Sequence, residues 1–257
     1  MYIRPVHAVL QHHTLRSFIR GNPLGILTTG IVHPNMPFLQ SSHIPFLIDD
    51  PSSADTNDLG ALRGHIALAN PQAKALIAAA LVAPSASPGK GTLPDEVLVL
   101  FTGTPQAYIT PSLYTETKPA TGKVVPTWDY VAVQAYGRVT VYHHRHGDDA
   151  ASREETDSFL QKAVGDLTNF AERDVARKEE GREWKVGDAP ESYVNALKRA
   201  IIGIEIKLTR LEGRWKMGQE LSEGDRKGVV DGMRALGTDV GGEIASCEHL
   251  RAALSST

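Results

Sequence analysis

The chain carries a single cysteine, Cys247, in 257 residues. One cysteine cannot close an intramolecular disulfide, which fits a reducing compartment. Its setting near a terminal helix reads as a free thiol, not a nucleophile. No apolar run approaches the roughly 20 residues that span a bilayer. The N-terminal MYIRPVHAVLQHHT lacks the apolar core of a secretory signal, so a cytoplasmic location is expected, with nuclear entry left open and no membrane partner. Positive charge is not in surplus: 27 Lys and Arg stand against 30 Asp and Glu, a net charge of −3. That balance argues against a general nucleic-acid binder, and DNA binding would need a local basic patch. No GxGxxG follows a strand, no P-loop is present, and no GxSxG marks a hydrolase. A bound phosphate must therefore be held by side chains and loop amides. His143, His144, Arg145 and His146 have no carboxylate or cysteine at ligand spacing, so they read as a solvated strand end and no metal site is expected.

What is present is ordinary for a globular chain: 41% hydrophobic and 22% charged residues. Helical signals cover Thr14–Arg20, the Ala73–Val82 body after Asn70-Pro71, and a stretch from the capping-box pattern Ser152-x-x-Glu155 to about Glu172. A further helix follows Pro190, and two more cover roughly 223–236 and 243–254. Strands are expected at Leu24–Thr29, Phe38–Ile48, Ala61–Ala69 and Glu96–Phe101. Residues 83–95 read as a Pro/Gly/Ser loop. From Trp128 onward, Val131, Val133, Ala135, Val139 and Val141 alternate with Tyr130, Gln134, Tyr136, Arg138 and Tyr142, the pattern of a half-buried strand. Ile202, Ile204, Ile206 and Leu208 repeat it. With βαβ alternation missing, the pattern predicts a mainly β fold with peripheral α-helices. It forms one domain over residues 1–257, with a helical insertion at about 152–200 and a helical C-terminal tail at about 223–254.

The stretch from Phe101 to Tyr142 is the most distinctive. A strand ends in Gly103-Thr104-Pro105. A loop punctuated by Pro111, Pro119 and Pro126 then carries Tyr108, Tyr114 and Lys123 before VVPTWDY enters the long strand. Proline restrains such a loop before any ligand arrives. Together with SSHIPFLI (Ser41–Ile48), LRGHIALANPQAK (Leu62–Lys74) and LEGRWKMGQELSEGDRKGVVDGM (Leu211–Met233), this segment resembles the FMN-binding PaiB family of negative transcriptional regulators. The resemblance implies a split β-barrel related to pyridoxamine-phosphate-oxidase-like flavoproteins, with FMN at a homodimer interface.

On that resemblance the cofactor-binding positions are Ser42, His43, Gly64, His65, Ala67, Asn70, Lys123, Thr127, Trp128, Lys216 and Gln219. Tyr108 and Tyr114 would line the substrate side, and His65 is the candidate acid or base. Each also has a plain structural reading: strand polars for Ser42 and His43, a helix cap for Asn70, an interface aromatic for Trp128, and a turn for Lys216–Glu220. The chain departs from the family pattern at Leu68, where an arginine is usual, and at Gly218 and Glu220, where serine and asparagine are usual. A lost charge-assisted contact is worth roughly 1.5–3 kcal/mol, so these departures bear on whether FMN is retained. The leading expectation is flavin-dependent redox chemistry on a small organic substrate. The alternatives are a dimeric transcriptional regulator, or a barrel that has lost FMN and binds haem or performs a cofactor-independent cyclisation or isomerisation.

Overall fold

The computed structural model describes residues 1–52, 58–144 and 148–254, with side chains described as far as Ser246. Arg145 and His146 of the histidine-rich segment, and the Cys247 side chain, lie outside the described residues. Along the chain come β1 (Ala8–Val9), α1 (His12–Gly21), β2 (Leu24–Gly30), β3 (Leu39–Pro45), β4 (Leu47–Asp49), β5 (Ala61–Ala67), α2 (Pro71–Leu81) and β6 (Lys90–Thr102). They are followed by β7 (Ala107–Ile109), α3 (Thr117–Thr121), β8 (Thr127–Tyr142), α4 (Ala150–Phe170), α5 (Glu191–Arg199), β9 (Ile201–Lys216), α6 (Glu223–Ala235) and α7 (Asp239–Leu254). No helix among the described residues is long and apolar enough to cross a membrane. The fold is mainly antiparallel sheet with peripheral helices.

The chain divides into two compact units. One comprises residues 19–101 and 135–211, the other residues 1–18, 102–134 and 212–257. The first is the barrel unit. Its strand order is β3-β2-β6-β8-β9-β5-β4. β3 and β4 are successive halves of one bent segment. The first half pairs with β2 in the register Thr28↔Ser41, and the second pairs with β5 in the register Ile48↔Leu62. Because one segment supplies both ends of the path, the sheet closes on itself and leaves β3 and β5 unladdered beside each other. The bend falls at Phe46, which is 1% exposed and lies edge-on to Phe101 at 6.2 Å. This splits the single strand expected over Phe38–Ile48: burial of Phe46 turns the chain inward and hands its second half to a new partner.

Alternation behaves as the sequence implies. Val131, Val133, Ala135, Val139 and Val141 are buried, as are Ile202, Ile204, Ile206 and Leu208. Tyr142 departs from the pattern: it is buried, stacked on Phe159 of α4 at 4.0 Å. Two local expectations change. β6 begins at Lys90 inside the expected loop, because Gly91 and Leu93 share the buried parity of Val97, Val99 and Phe101, and the Thr92 hydroxyl meets that of Thr140 at 2.8 Å. Only Pro94, Asp95 and Glu96 leave the pattern, as a proline in a strand allows. The first long helix is capped by Asp149, not Ser152: the Asp149 carboxylate accepts from the Ser152 amide at 2.7 Å, and an acidic cap also suits the helix dipole.

The second unit gathers shorter pieces. β1 pairs with the end of β9 (Ala8↔Arg214), and β7 pairs with the start of β8 (Tyr108↔Trp128). Its core joins Ala107, Ile109, Tyr114, Val131 and Met217 to Val229, Val230 and Met233 of α6 and Ile244 and Ala245 of α7.

Candidate functional site

In the barrel unit, two of the sequence segments meet at Ser42 and Asn70. Asn70 caps α2, its Oδ1 accepting from the Gln72 amide at 2.8 Å, while its Nδ2 donates to Ser42 Oγ at 3.0 Å. One amide thus starts a helix and ties it to β3. Ser42 accepts this bond, so its own hydroxyl proton is left to donate. Around the pair, Ser41, His43, Ala67, Leu68 and Ala69 are exposed, and Ser41 Oγ lies 2.9 Å from Thr28 Oγ1. The Ser42 hydroxyl and the Asn70 amide thus form a short row of neutral donors beside β3, while alternation turns Ser41 and His43 to the other face of the strand.

Gly64 and His65 stand apart from that row. A Cβ on Gly64 would lie 3.0 Å from the Phe46 ring and 3.1 Å from the Pro45 carbonyl, so this glycine accommodates the β3–β4 bend. His65 points to the other face of β5. Its neighbour on that face, Arg63, pairs with Asp49 and with Asp166 of α4 at 3.0 Å, and Gly203, opposite His65, lies under the Phe159 ring. His65 Nδ1 is buried without a hydrogen-bond partner. Burial holds the imidazole below its ordinary pKa, which favours the neutral ring at pH 7. Leu68 is 40% exposed.

The other predicted residues lie in the second unit, around a cavity of about 290 Å³ that Lys123, Thr127, Asp129, Lys216, Gly218 and Glu220 help to line. The Lys216 ammonium donates to Thr127 Oγ1 at 2.7 Å, the Trp128 carbonyl at 2.8 Å and Asp129 Oδ1 at 3.0 Å. Its three N–H groups are therefore all engaged by the protein. Gln219 closes the turn after β9: Nε2 donates to the Trp215 carbonyl and Oε1 accepts from the Met217 amide. Strand alternation turns Trp128 away from Thr127 and Asp129. It is 57% exposed and pairs edge-on with Tyr108, itself 51% exposed, at 6.4 Å. Tyr114 is buried and also lines the cavity.

Of three carboxylates in this cavity, Asp129 and Asp225 escaped the motif reading, and Glu220 entered it only as a departure. Asp129 is 2% exposed beneath Lys216. Asp225 is 3% exposed and accepts from the Glu116 and Thr117 amides at 2.8 and 3.0 Å. Glu220 pairs with the fully buried His7 at 2.8 Å and with Arg4 at 3.7 Å. Burial pushes the Glu220 carboxyl up, but the hydrogen bond with His7, one from its own backbone amide and nearby positive charge together hold it below its ordinary range. Asp129 was legible in principle: it shares the parity of Val131 and Val133, and a carboxylate on the core face of a strand demands a buried cation. Among the described residues no cluster of three metal-binding side chains occurs.

A family model described as "Putative FMN-binding domain" matches residues 1–210. The match agrees with the resemblance drawn from the motifs, and it ends before Lys216 and Gln219. The chain is 51% identical over 255 residues to an uncharacterized protein of Aspergillus fumigatus, covering 95% of each chain. It is 26% identical over 231 residues to the "Protease synthase and sporulation protein PAI 2" of Bacillus subtilis, covering 90% of this chain and 88% of that one. Among solved structures it is similar to the flavocytochrome Anf3 from Azotobacter vinelandii, with a TM-score of 0.44 and 11% identity, covering 88% of this chain and 78% of that one.

Proposed function

The chain belongs to the FMN-binding domain family whose model matches it, and we propose that it binds FMN at the row of donors beside β3 and uses it for redox chemistry on a small organic substrate as a homodimer. The observation that carries this reading is the Asn70–Ser42 hydrogen bond at 3.0 Å, which joins two separate family segments into one donor cluster. The Ser42 hydroxyl and the Asn70 amide are donors that suit the carbonyl and phosphate oxygens of a flavin nucleotide. When bound, FMN supplies hydride and electron transfer that no side chain can perform. The residues of this chain bind, orient and exclude water, and the Ser42 hydroxyl and Asn70 amide are neutral donors that do so without a change of protonation.

The cavity beside Lys216 does not suit a phosphate dianion. Lys216 is fully engaged, and Asp129, Glu220 and Asp225 present three carboxylates to the same space against one further lysine, Lys123. Like charges at such range raise the cost of binding an anion. The departures at Gly218 and Glu220 belong to the second unit and line the Lys216 cavity. That charge arrangement is also the observation that favours the second reading, a barrel that has given up FMN.

The deciding experiment is an absorption spectrum of the purified protein with equilibrium titration of FMN, alongside Ser42→Ala and Asn70→Ala. The expected result is flavin bands or saturable quenching near one FMN per chain, weakened about tenfold or more in each variant. A wild-type protein that neither carries nor quenches FMN would overturn the reading in favour of the flavin-free barrel.

A further inference from the structure

The barrel unit contains a cavity of about 510 Å³ away from the donor row. It takes the second half of α2, from Ala78 on, whereas Asn70 sits before the first turn. At about 1.5 Å per residue that separates them by roughly 12 Å. Its walls are apolar: Ile31, Phe38, Ala78, Ala79, Val82 and Leu93 are among them. The volume falls in the range of small-molecule sites, which combine apolar walls with few polar groups.

Two features make this more than a surface hollow. The Phe38 side chain is 56% exposed, yet its position is fixed by the fold: a Cβ on Gly30 would lie 2.9 Å from its ring, so the ring rests directly on the β2 backbone. The polar groups are few. Asp95 and Glu96 line the cavity with Thr29 and His33, and among the described residues no lysine or arginine does. Asp95 is exposed and has no ion-pair partner among the described residues, while Glu96 accepts from the Thr209 hydroxyl. Asp95 and Glu96 fall where β6 leaves its alternation after Pro94, so the strand irregularity delivers the carboxylates to the cavity.

We propose that this cavity binds a lipophilic monocation, an apolar organic molecule carrying one ammonium-like charge. The apolar walls would take the body of the ligand, and Phe38 would meet the charge or an aromatic group through its ring face. Asp95 and Glu96 supply the electrostatic preference and disfavour anions of the same shape. The site is independent of the FMN reading and stands whether or not the chain binds flavin.

The test uses two ions of matched shape and opposite charge, tetraphenylphosphonium and tetraphenylborate, in calorimetric titrations of the full chain. The expected result is saturable binding of the cation at one per chain, with the anion weaker by about tenfold or more. Ala79→Trp, which fills the cavity, should abolish binding. Asp95→Lys with Glu96→Lys, at exposed positions that leave the core untouched, should reverse the preference. Ser42→Ala should leave the affinity for tetraphenylphosphonium as it is, whatever it does to FMN. Equal affinity for both ions, binding that survives Ala79→Trp in a protein with an unchanged melting curve, or no binding at all would overturn the proposal. So would sedimentation showing that Val82→Asp dissociates a dimer, since a second copy would then occupy this face.

Discussion

Lys216 reaches Asp129 at 3.0 Å from the end of β9, over a carboxylate that is 2% exposed. The same ammonium also holds the Thr127 hydroxyl and the Trp128 carbonyl. The lysine that motif comparison offers to a phosphate is thus fastened to the start of β8 by three bonds.

Lys216→Met should accordingly behave as a stability variant. Removing the ammonium takes away the cation that sits over a buried carboxylate, which costs about 3–5 kcal/mol. The double variant Lys216→Met with Asp129→Leu should recover most of that loss, because neither charge is left alone. Urea unfolding of the four proteins gives the coupling directly. FMN affinity of folded Lys216→Met should stay within about threefold of the parent; a larger loss would return Lys216 to the cofactor.

Asn70 does two jobs that substitution can separate. Asn70→Asp keeps the oxygen that accepts from Gln72 and loses the donor to Ser42. Asn70→Ala loses both. The alanine variant should be less stable by roughly 1 kcal/mol, the usual worth of an N-cap, and the aspartate variant close to the parent. Both should bind FMN more weakly, since both release Ser42. Thermal melts and flavin titrations on the same samples separate the effects.

Asp58 sets an acid limit. It accepts from Lys207 Nζ at 2.6 Å and from the Ser52 and Gly60 amides at 2.9 and 2.8 Å. These bonds, the lysine's first, lower its pKa from 3.8 to about 2. A folded pKa below the unfolded one means the contribution is complete above about pH 4 and is lost as pH falls through 2. Unfolding midpoints measured from pH 5 to pH 2 should fall more steeply for the parent than for Asp58→Asn. Parallel curves would refute the assignment.

His65 acts in a higher window with the same sign. Burial lowers its pKa below 6.5, so protonation favours the unfolded chain as pH drops below that value. Its stabilising contribution is full above about pH 6.5 and declines toward the folded pKa. Ring-proton NMR should show a midpoint under 6.5. A midpoint above it would mean that the ring is solvated or has gained an acidic partner.

Much of the fold was legible because it rests on local periodicity. The parity of Val131 through Val141 and of Ile202 through Leu208 identifies long strands with one core face, and Asn70-Pro71 announces α2. Local reading failed where a distant residue decided the outcome. Phe46 bends one strand into two because it packs on Phe101. β6 starts early because Thr92 finds Thr140. The cap of α4 was a local miss: Asp149, three residues before Ser152, accepts from its amide. The candidate site divides the same way. The sequence by itself determined which residues are polar, apolar or conformationally restrained, and the family to which they belong. Only the tertiary structure decided what they touch: that Asn70 meets Ser42, that Gly64 makes room for Phe46, that His65 turns toward α4, and that Lys216 is held by Asp129. The physical reason is that a hydrogen bond or ion pair between residues far apart in the chain depends on how the backbone brings them together, which the spacing of residue types does not encode.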